Sequence, residues 1–220
     1  MEQEKLDLLL LTQPEHFNWL SGYDPTGTFY FQALLVPVDD NDDLTLICNR
    51  IEYPLYEETC CVEDVHVFWT YEDQVLRTKE VLAQLGFTER SVNLGLNLSG
   101  YNLKPQYVLD LQRALPKAKF TDVTPPLDEL RLVKSSREVT YLRQAAHLAD
   151  LGLRAGIDAI QTGATDHEVM AAIQATMAAN GSESPAFPYL VDARGVGHGT
   201  PVGTILEVGQ NVCLECETSV

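Results

Sequence analysis

Apolar positions recur at two different spacings along this chain, and the change from one to the other divides it. Up to residue 123, short apolar runs alternate with stretches of helical period. Residues 6–12 form a β-type run, and Pro14 opens a short helix that Ser21-Gly22 ends. Residues 29–38 and 44–48 read as strands joined across the acidic turn Asp39-Asp40-Asn41-Asp42-Asp43, hence as a hairpin. Residues 62–70 give another strand. Residues 72–85 are helical, with Val75, Leu82 and Leu85 on one face and Gly86 as the stop. An alternating strand over 91–97, a helix over 103–115 and a strand over 119–123 complete this part. Strands interleaved with helices predict an α/β domain with a mixed central sheet.

Thr124-Pro125-Pro126 marks the boundary, because two prolines stiffen the chain and exclude regular pairing. The expected domains are therefore residues 1–126 and 127–220. Ser135-Ser136-Arg137-Glu138 has the spacing of a capping box, and the helix it opens carries Val139, Leu142, Ala146, Ala149, Leu153, Ile157 and Ile160 on one stripe. Thr165-Asp166-His167-Glu168 is a second box, opening a helix with Val169, Ile173, Thr176 and Met177 inward. A strand over 187–191 leads into the turn Gly195-Val196-Gly197-His198-Gly199-Thr200-Pro201. In the last strand, over 211–217, Val212, Leu214 and Cys216 share one face, while Asn211, Cys213, Glu215 and Glu217 share the other. A histidine in a glycine turn, followed by a strand that delivers a carboxylate, is a common beginning for an amide-cleaving site.

At 220 residues the chain has room for two modest domains with buried cores. Its longest apolar run is too short to span a bilayer, and Met1-Glu2-Gln3-Glu4-Lys5 supplies no basic leader before it. A cytoplasmic protein without a membrane partner is expected. The net charge of −17 excludes nucleic acid as a partner, since phosphate contacts need a basic patch, and reads as solubility. The acidic run at 39–43 lacks the glycine and glutamate of a calcium loop. Five cysteines fit no even disulfide framework and read as reduced thiols. Cys213 and Cys216 spell C-x-x-C, but on a strand they point to opposite faces, which rules out a redox pair. His16, His66, His147 and His167 lack partners at metal spacing and read as structural. The aromatic group from Phe17 to Phe31 reads mainly as core.

Four stretches taken in order resemble the creatinase/prolidase/aminopeptidase P family. They are residues 6–23 with Pro14-Glu15 and Trp19-Leu20-Ser21-Gly22-Tyr23, then Leu130-Arg131-Leu132-Val133-Lys134-Ser135, then Thr162-Gly163-Ala164-Thr165, and finally His198-Gly199-Thr200-Pro201 with Leu206-Glu207-Val208-Gly209. The resemblance covers nearly the whole chain. Gly22-Tyr23-Asp24 with Phe29-Tyr30 and Gln32 leans toward the creatinase-like and ectoine-hydrolase-like branch. The implied fold is a mixed-sheet creatinase/prolidase N-terminal α/β domain followed by an incomplete α+β "pita-bread" catalytic domain.

The resemblance implies a C–N bond hydrolase: an Xaa-Pro peptidase (prolidase, dipeptidase or aminopeptidase) or a creatinase-like enzyme acting on a peptide or small amide. The family's peptidases are metallopeptidases that hold two divalent metals, commonly manganese, cobalt or zinc, through two aspartates, a histidine and two glutamates. A metal-bridging water attacks the carbonyl. Creatinase itself lacks that set and uses its entrance histidine as an acid/base. His198 matches the entrance histidine and is the catalytic candidate; Glu215 falls where the first metal aspartate stands and is the metal-ligand candidate. Glutamate is one methylene longer, so a shifted metal and a metal-free site of the creatinase kind both fit. Glu217, on the same face, is an alternative donor. Nothing in the sequence matches the remaining ligands, so the chain alone is expected to be inactive. The alternative is a non-catalytic pseudo-peptidase that binds or dimerises. A half-domain with unpaired strand edges is expected to form a dimer or other homo-oligomer.

Overall fold

Four consecutive leucines, Leu8–Leu11, form strand β1, and all four are buried. A strand covered on both faces has no place for a polar side chain, which is why it reads as a run and not an alternation. The computed structural model describes residues 1, 4–25, 27, 29–39, 43–183, 190–197 and 199–220. It divides into two compact units, Met1–Leu132 and Val133–Val220.

In the first unit, β1 is joined by β2 (Ala33–Pro37), β3 (Thr45–Asn49), β4 (Asp64–Phe68), β5 (Val92–Leu96) and β6 (Ala118–Asp122). Their order across the sheet is β4-β3-β2-β1-β5-β6. The β1–β2 and β2–β3 pairs are antiparallel and the other three parallel, so the sheet is mixed. Leu8 and Leu10 point to one face, which α3 (Gln74–Gln84) and α4 (Pro105–Ala114) cover through Val75, Val81, Leu82 and Leu111. Leu9 and Leu11 point to the other, covered by Phe17 of α1 (Pro14–Ser21) and Leu127 of α5 (Thr124–Leu132). Each fully buried leucine contributes about 2 kcal/mol by area.

Two expectations meet a different outcome here, and one further helix has no counterpart in them. Residues 29–32 do not extend β2: the Tyr30 N–H bonds the Gly27 carbonyl at 3.0 Å, and the Gln32 side chain is held by the Tyr23 hydroxyl at 2.5 Å. Phe29 is therefore 71% exposed and Trp19 38%, while Phe17, Tyr23 and Phe31 are core. Pro125 and Pro126 do not interrupt regular structure. They sit in the first turn of α5, where a missing N–H costs nothing, and Thr124 is fixed by Asp122. Residues 53–59, with Pro54 near their start, form a further helix, α2 (Tyr53–Thr59).

The second unit begins with α6 (Ser136–Ala159) and α7 (Asp166–Ala179), and both predicted capping boxes are present. The buried side of α6 is not the expected stripe. Leu148, Gly152 and Gly156 face α7, while Leu142 is 54% and Ile157 59% exposed. The glycines decide this. A Cβ on Gly152 would lie 2.5 Å from Met177 Sδ, and one on Gly156 2.8 Å from Ile173 Cδ1, so α7 seats closely only against that side.

Strands β7 (Leu190–Asp192) and β8 (Cys213–Glu215) pair antiparallel, Asp192 opposite Cys213 and Leu190 opposite Glu215. Of the strand expected over 187–191, residues 187–189 lie outside the described residues, as do 40–42 of the acidic turn. Val191, Val212, Leu214 and Cys216 pack with Ile173, Met177 and Leu206, as the alternation predicts. No helix among the described residues is long and apolar enough to cross a membrane.

Candidate active site

Between β7 and β8 the chain makes a long excursion, and two buried aspartates tie it down. Asp192, at the end of β7, is 2% exposed although it faces away from the core, because the following turn folds over it. Its carboxylate accepts the Arg194 N–H at 3.0 Å and the Gly197 N–H at 2.7 Å, and Arg194 Nε lies 3.5 Å away. Burial alone would raise its pKa. The backbone amides of Arg194, Gly197 and Val196, with the Arg194 guanidinium, outweigh that and hold the carboxyl below its ordinary value. Gly197 takes φ +78°, a conformation that a side chain at this turn would strain.

The far side of the excursion is held from α7. Asp166, 1% exposed in the first helical turn, accepts the N–H groups of Val202, Gly203 and Thr204 at 3.0, 2.8 and 3.1 Å. Burial again opposes ionisation, and the three amides again overcome it, so the carboxyl titrates below its ordinary range. Backbone bonds between Leu206 and both Ala164 and Gly163 extend this lacing.

His198 itself lies outside the described residues, but its neighbours are fixed on both sides. The Cys213 thiol reaches the Gly197 carbonyl at 3.6 Å. Arg194 Nη2 donates to the Thr200 carbonyl at 3.2 Å and would lie 2.4 Å from a Cβ on Gly199. The Gln210 amide closes the base by donating to the Ala193 carbonyl. Glu215 is exposed on the face that carries Cys213, about 7 Å along the strand from it. The residue before His198 thus rests against the strand that bears Glu215, on the same face.

Sequence reasoning missed Asp166 and Asp192. Asp192-Ala193-Arg194-Gly195 carries the aspartate-to-glycine spacing of a side-chain-capped turn and was legible as one. Asp166 has no local signal, because its partners lie 36 to 38 residues away.

Among the described residues, no group of three or more His, Cys, Asp or Glu side chains is gathered closely enough to hold a metal ion. Glu215 is a single donor there, and Asp166 and Asp192 are already committed to backbone amides. The described residues therefore do not by themselves fit a two-metal centre. Of the other histidines, His66 meets Asp64 at 3.2 Å and His147 and His167 are exposed. His16 is wholly buried, with neither ring nitrogen hydrogen-bonded among the described residues.

Comparison with known proteins shows the family and the fold. The creatinase/prolidase N-terminal domain family matches residues 1–133, and the chain belongs to that family. A curated Xaa-Pro dipeptidase of Pyrococcus furiosus is 23% identical over 220 residues, covering 98% of this chain and 57% of that one. The creatinase of a Bacillus species is 24% identical over 169 residues, covering 77% and 40%. The solved prolidase from Pyrococcus furiosus superposes with a TM-score of 0.76 at 23% identity, covering 97% of this chain and 62% of that one. The fold is thus that of the prolidases: the N-terminal α/β domain and part of the pita-bread domain. The chain spans about half the length of the curated relatives it matches.

Proposed function

We propose that this chain is the substrate-facing scaffold of a C–N bond hydrolase, with His198 as the group that protonates or polarises an amide and Glu215 as a carboxylate on the β8 face against which Gly197 rests. The observation that carries this reading is the double anchoring of the 192–206 segment. A glycine turn fixed at Gly197 by Asp192 and at residues 202–204 by Asp166 suits a histidine that must meet a carbonyl in one geometry. A surface loop without a role has no need of two buried carboxylates. The substrate class is an Xaa-Pro peptide or a small amide, by likeness to the named dipeptidase and creatinase. The natural setting is the cytoplasm, which suits five free thiols.

A divalent metal, manganese, cobalt or zinc, would polarise the carbonyl and activate water in a complete site. Glu215 is the residue here that would contribute to it, and no step of this reading runs through the ion. We expect the 220 residues alone to show no turnover above background with Xaa-Pro dipeptides and added manganese. Weak manganese binding, lost in Glu215→Gln, is the expected calorimetric result. Substantial turnover by this chain would overturn the expectation of inactivity, and binding unchanged in Glu215→Gln would remove Glu215 from the site.

The lack of a gathered donor set among the described residues favours a second reading, a binding or dimerisation module that keeps the scaffold without the chemistry. Peptide binding that survives His198→Ala unchanged, with no metal uptake, would select it. On either reading the second unit associates with another copy.

A further inference from the structure

Among the described residues, six buried side-chain nitrogen and oxygen atoms have no hydrogen-bond partner, and five of the six belong to Thr12, His16 and Asn97. All three residues are buried, and the fold brings them to one end of the first sheet. β1 and β5 run parallel, with Leu10 paired to Leu96, so the two strands finish side by side. Thr12 follows β1 and Asn97 follows β5, each at the carboxyl end. His16 stands in the first turn of α1, which leaves that same end of β1, and its N–H bonds the Gln13 carbonyl at 3.0 Å. Asn97 continues the side of β5 on which a Cβ at Gly95 would lie 2.6 Å from Leu9 Cδ2 and 2.8 Å from Val123 Cγ1. That is the side α1 and α5 cover.

The surroundings hold these side chains in place. A Cβ on Gly100 would lie 2.6 Å from Asn97 Oδ1 and 2.9 Å from Gln13 Cγ, so the turn after β5 closes directly against the start of α1. That turn is pinned from the next strand: the Leu98 N–H bonds Asp122 at 3.4 Å and the Ser99 N–H bonds Thr124 Oγ1 at 3.3 Å. Five bare polar atoms in such a place would offset a large share of a domain's net stability, so they call for a partner. Their chemistry narrows what it is. Burial first, and then Arg131, keep the His16 pKa below its ordinary value, so near neutral pH the ring has one donor and one acceptor. The Thr12 hydroxyl serves either way, and Asn97 supplies two donors and an acceptor. A bare cation would face the N–H groups of Asn97 and His16, and an anion would face their acceptors. Only a molecule that both donates and accepts serves all five atoms, and full enclosure limits it to the size of water.

We propose that the carboxyl ends of β1 and β5 enclose an internal hydration site, in which ordered water is bound by Thr12, His16 and Asn97. At two to four hydrogen bonds each, about two molecules serve the five atoms. The site is a polar joint between α1, β1 and β5 inside an otherwise apolar core. It lies where α/β sheets commonly take a ligand, outside the carboxyl ends of neighbouring parallel strands. Nothing in it depends on the roles of His198 and Glu215.

Nuclear magnetic resonance on the isotope-labelled 220-residue chain tests it. The Asn97 side-chain amide protons and the His16 ring protons should show cross-peaks to water of opposite sign in laboratory-frame and rotating-frame Overhauser spectra, the signature of bound water. Thr12→Val removes a hydroxyl whose exchange with solvent imitates that signal, and the Asn97 cross-peaks should persist in it. Asn97→Leu should lose the water cross-peaks of the His16 ring, with a circular dichroism melt to verify folding. If that variant does not fold, the native chain and Thr12→Val still decide the matter. Asn97 amide protons without water cross-peaks, or with a through-bond coupling to a protein acceptor, would overturn the site. So would cross-peaks that vanish in Thr12→Val, which belong to the hydroxyl. His16 cross-peaks unchanged in folded Asn97→Leu would overturn a site shared with Asn97.

Discussion

Replacing Asp166 with alanine removes the acceptor for three backbone N–H groups at once. We expect a loss of about 3 kcal/mol, readable as a lower urea midpoint. Asp166→Asn should lose less, because an amide oxygen can still serve one or two of the three donors. The acid sensitivity of this carboxyl has a definite sign. Its folded pKa lies below the ordinary 3.8, so its contribution is fully present above that value and is lost as pH falls through the lower folded value. His16 acts in a higher window. Burial first, and then Arg131, push its pKa below 6.5, with Glu15 and Asp128 opposing. The folded state holds the neutral ring while the unfolded chain takes up a proton. Stability is therefore complete above pH 6.5 and declines as pH falls below it. Melting temperatures between about pH 7.5 and about pH 5 should show this slope, and His16→Leu should flatten it.

At the scale of elements, the α6–α7 pair depends on two missing side chains. Gly152→Leu would drive a side chain into Met177, and we expect at least about 3 kcal/mol lost from the second unit, measured by chemical denaturation. Ser135→Ala, which only opens one capping box, should cost about 1 kcal/mol. These elements also mark what the sequence could and could not convey. Both capping boxes were legible because their partners lie three residues apart. The alternation of Val212, Leu214 and Cys216 was legible because a strand has a fixed period of two. The choice of buried face on α6 was not, because hydrophobicity favours the leucine row while close approach favours glycine, and only the position of α7 decides. Proline was misleading at α5 for a related reason: the same residue that ends a strand is suited to begin a helix. The candidate site was half legible. His198 and Glu215 came from their motif, whereas Asp166 owes its role to a chain segment far along the sequence.

Across the whole molecule, two separate cores serve two units, one built on the leucines of β1 and the other on Val169, Ile173 and Met177. Separate cores predict separate melting. Leu10→Ala, costing about 3 kcal/mol, should lower one calorimetric transition, and Gly152→Leu should lower the other without moving the first. A single transition shifted by both changes would show that the units unfold as one.

Because Asp192 rides on a strand and Asp166 on a helix, the glycine turn is suspended between two struts like a cable, and its sag is set by the gap between them. Anything that wedges α7 outward tightens or slackens that cable. A bulky residue introduced beside Met177, in another part of α7, should therefore loosen the amide contacts of Val202, Gly203 and Thr204 with Asp166, readable as faster hydrogen exchange at those three positions.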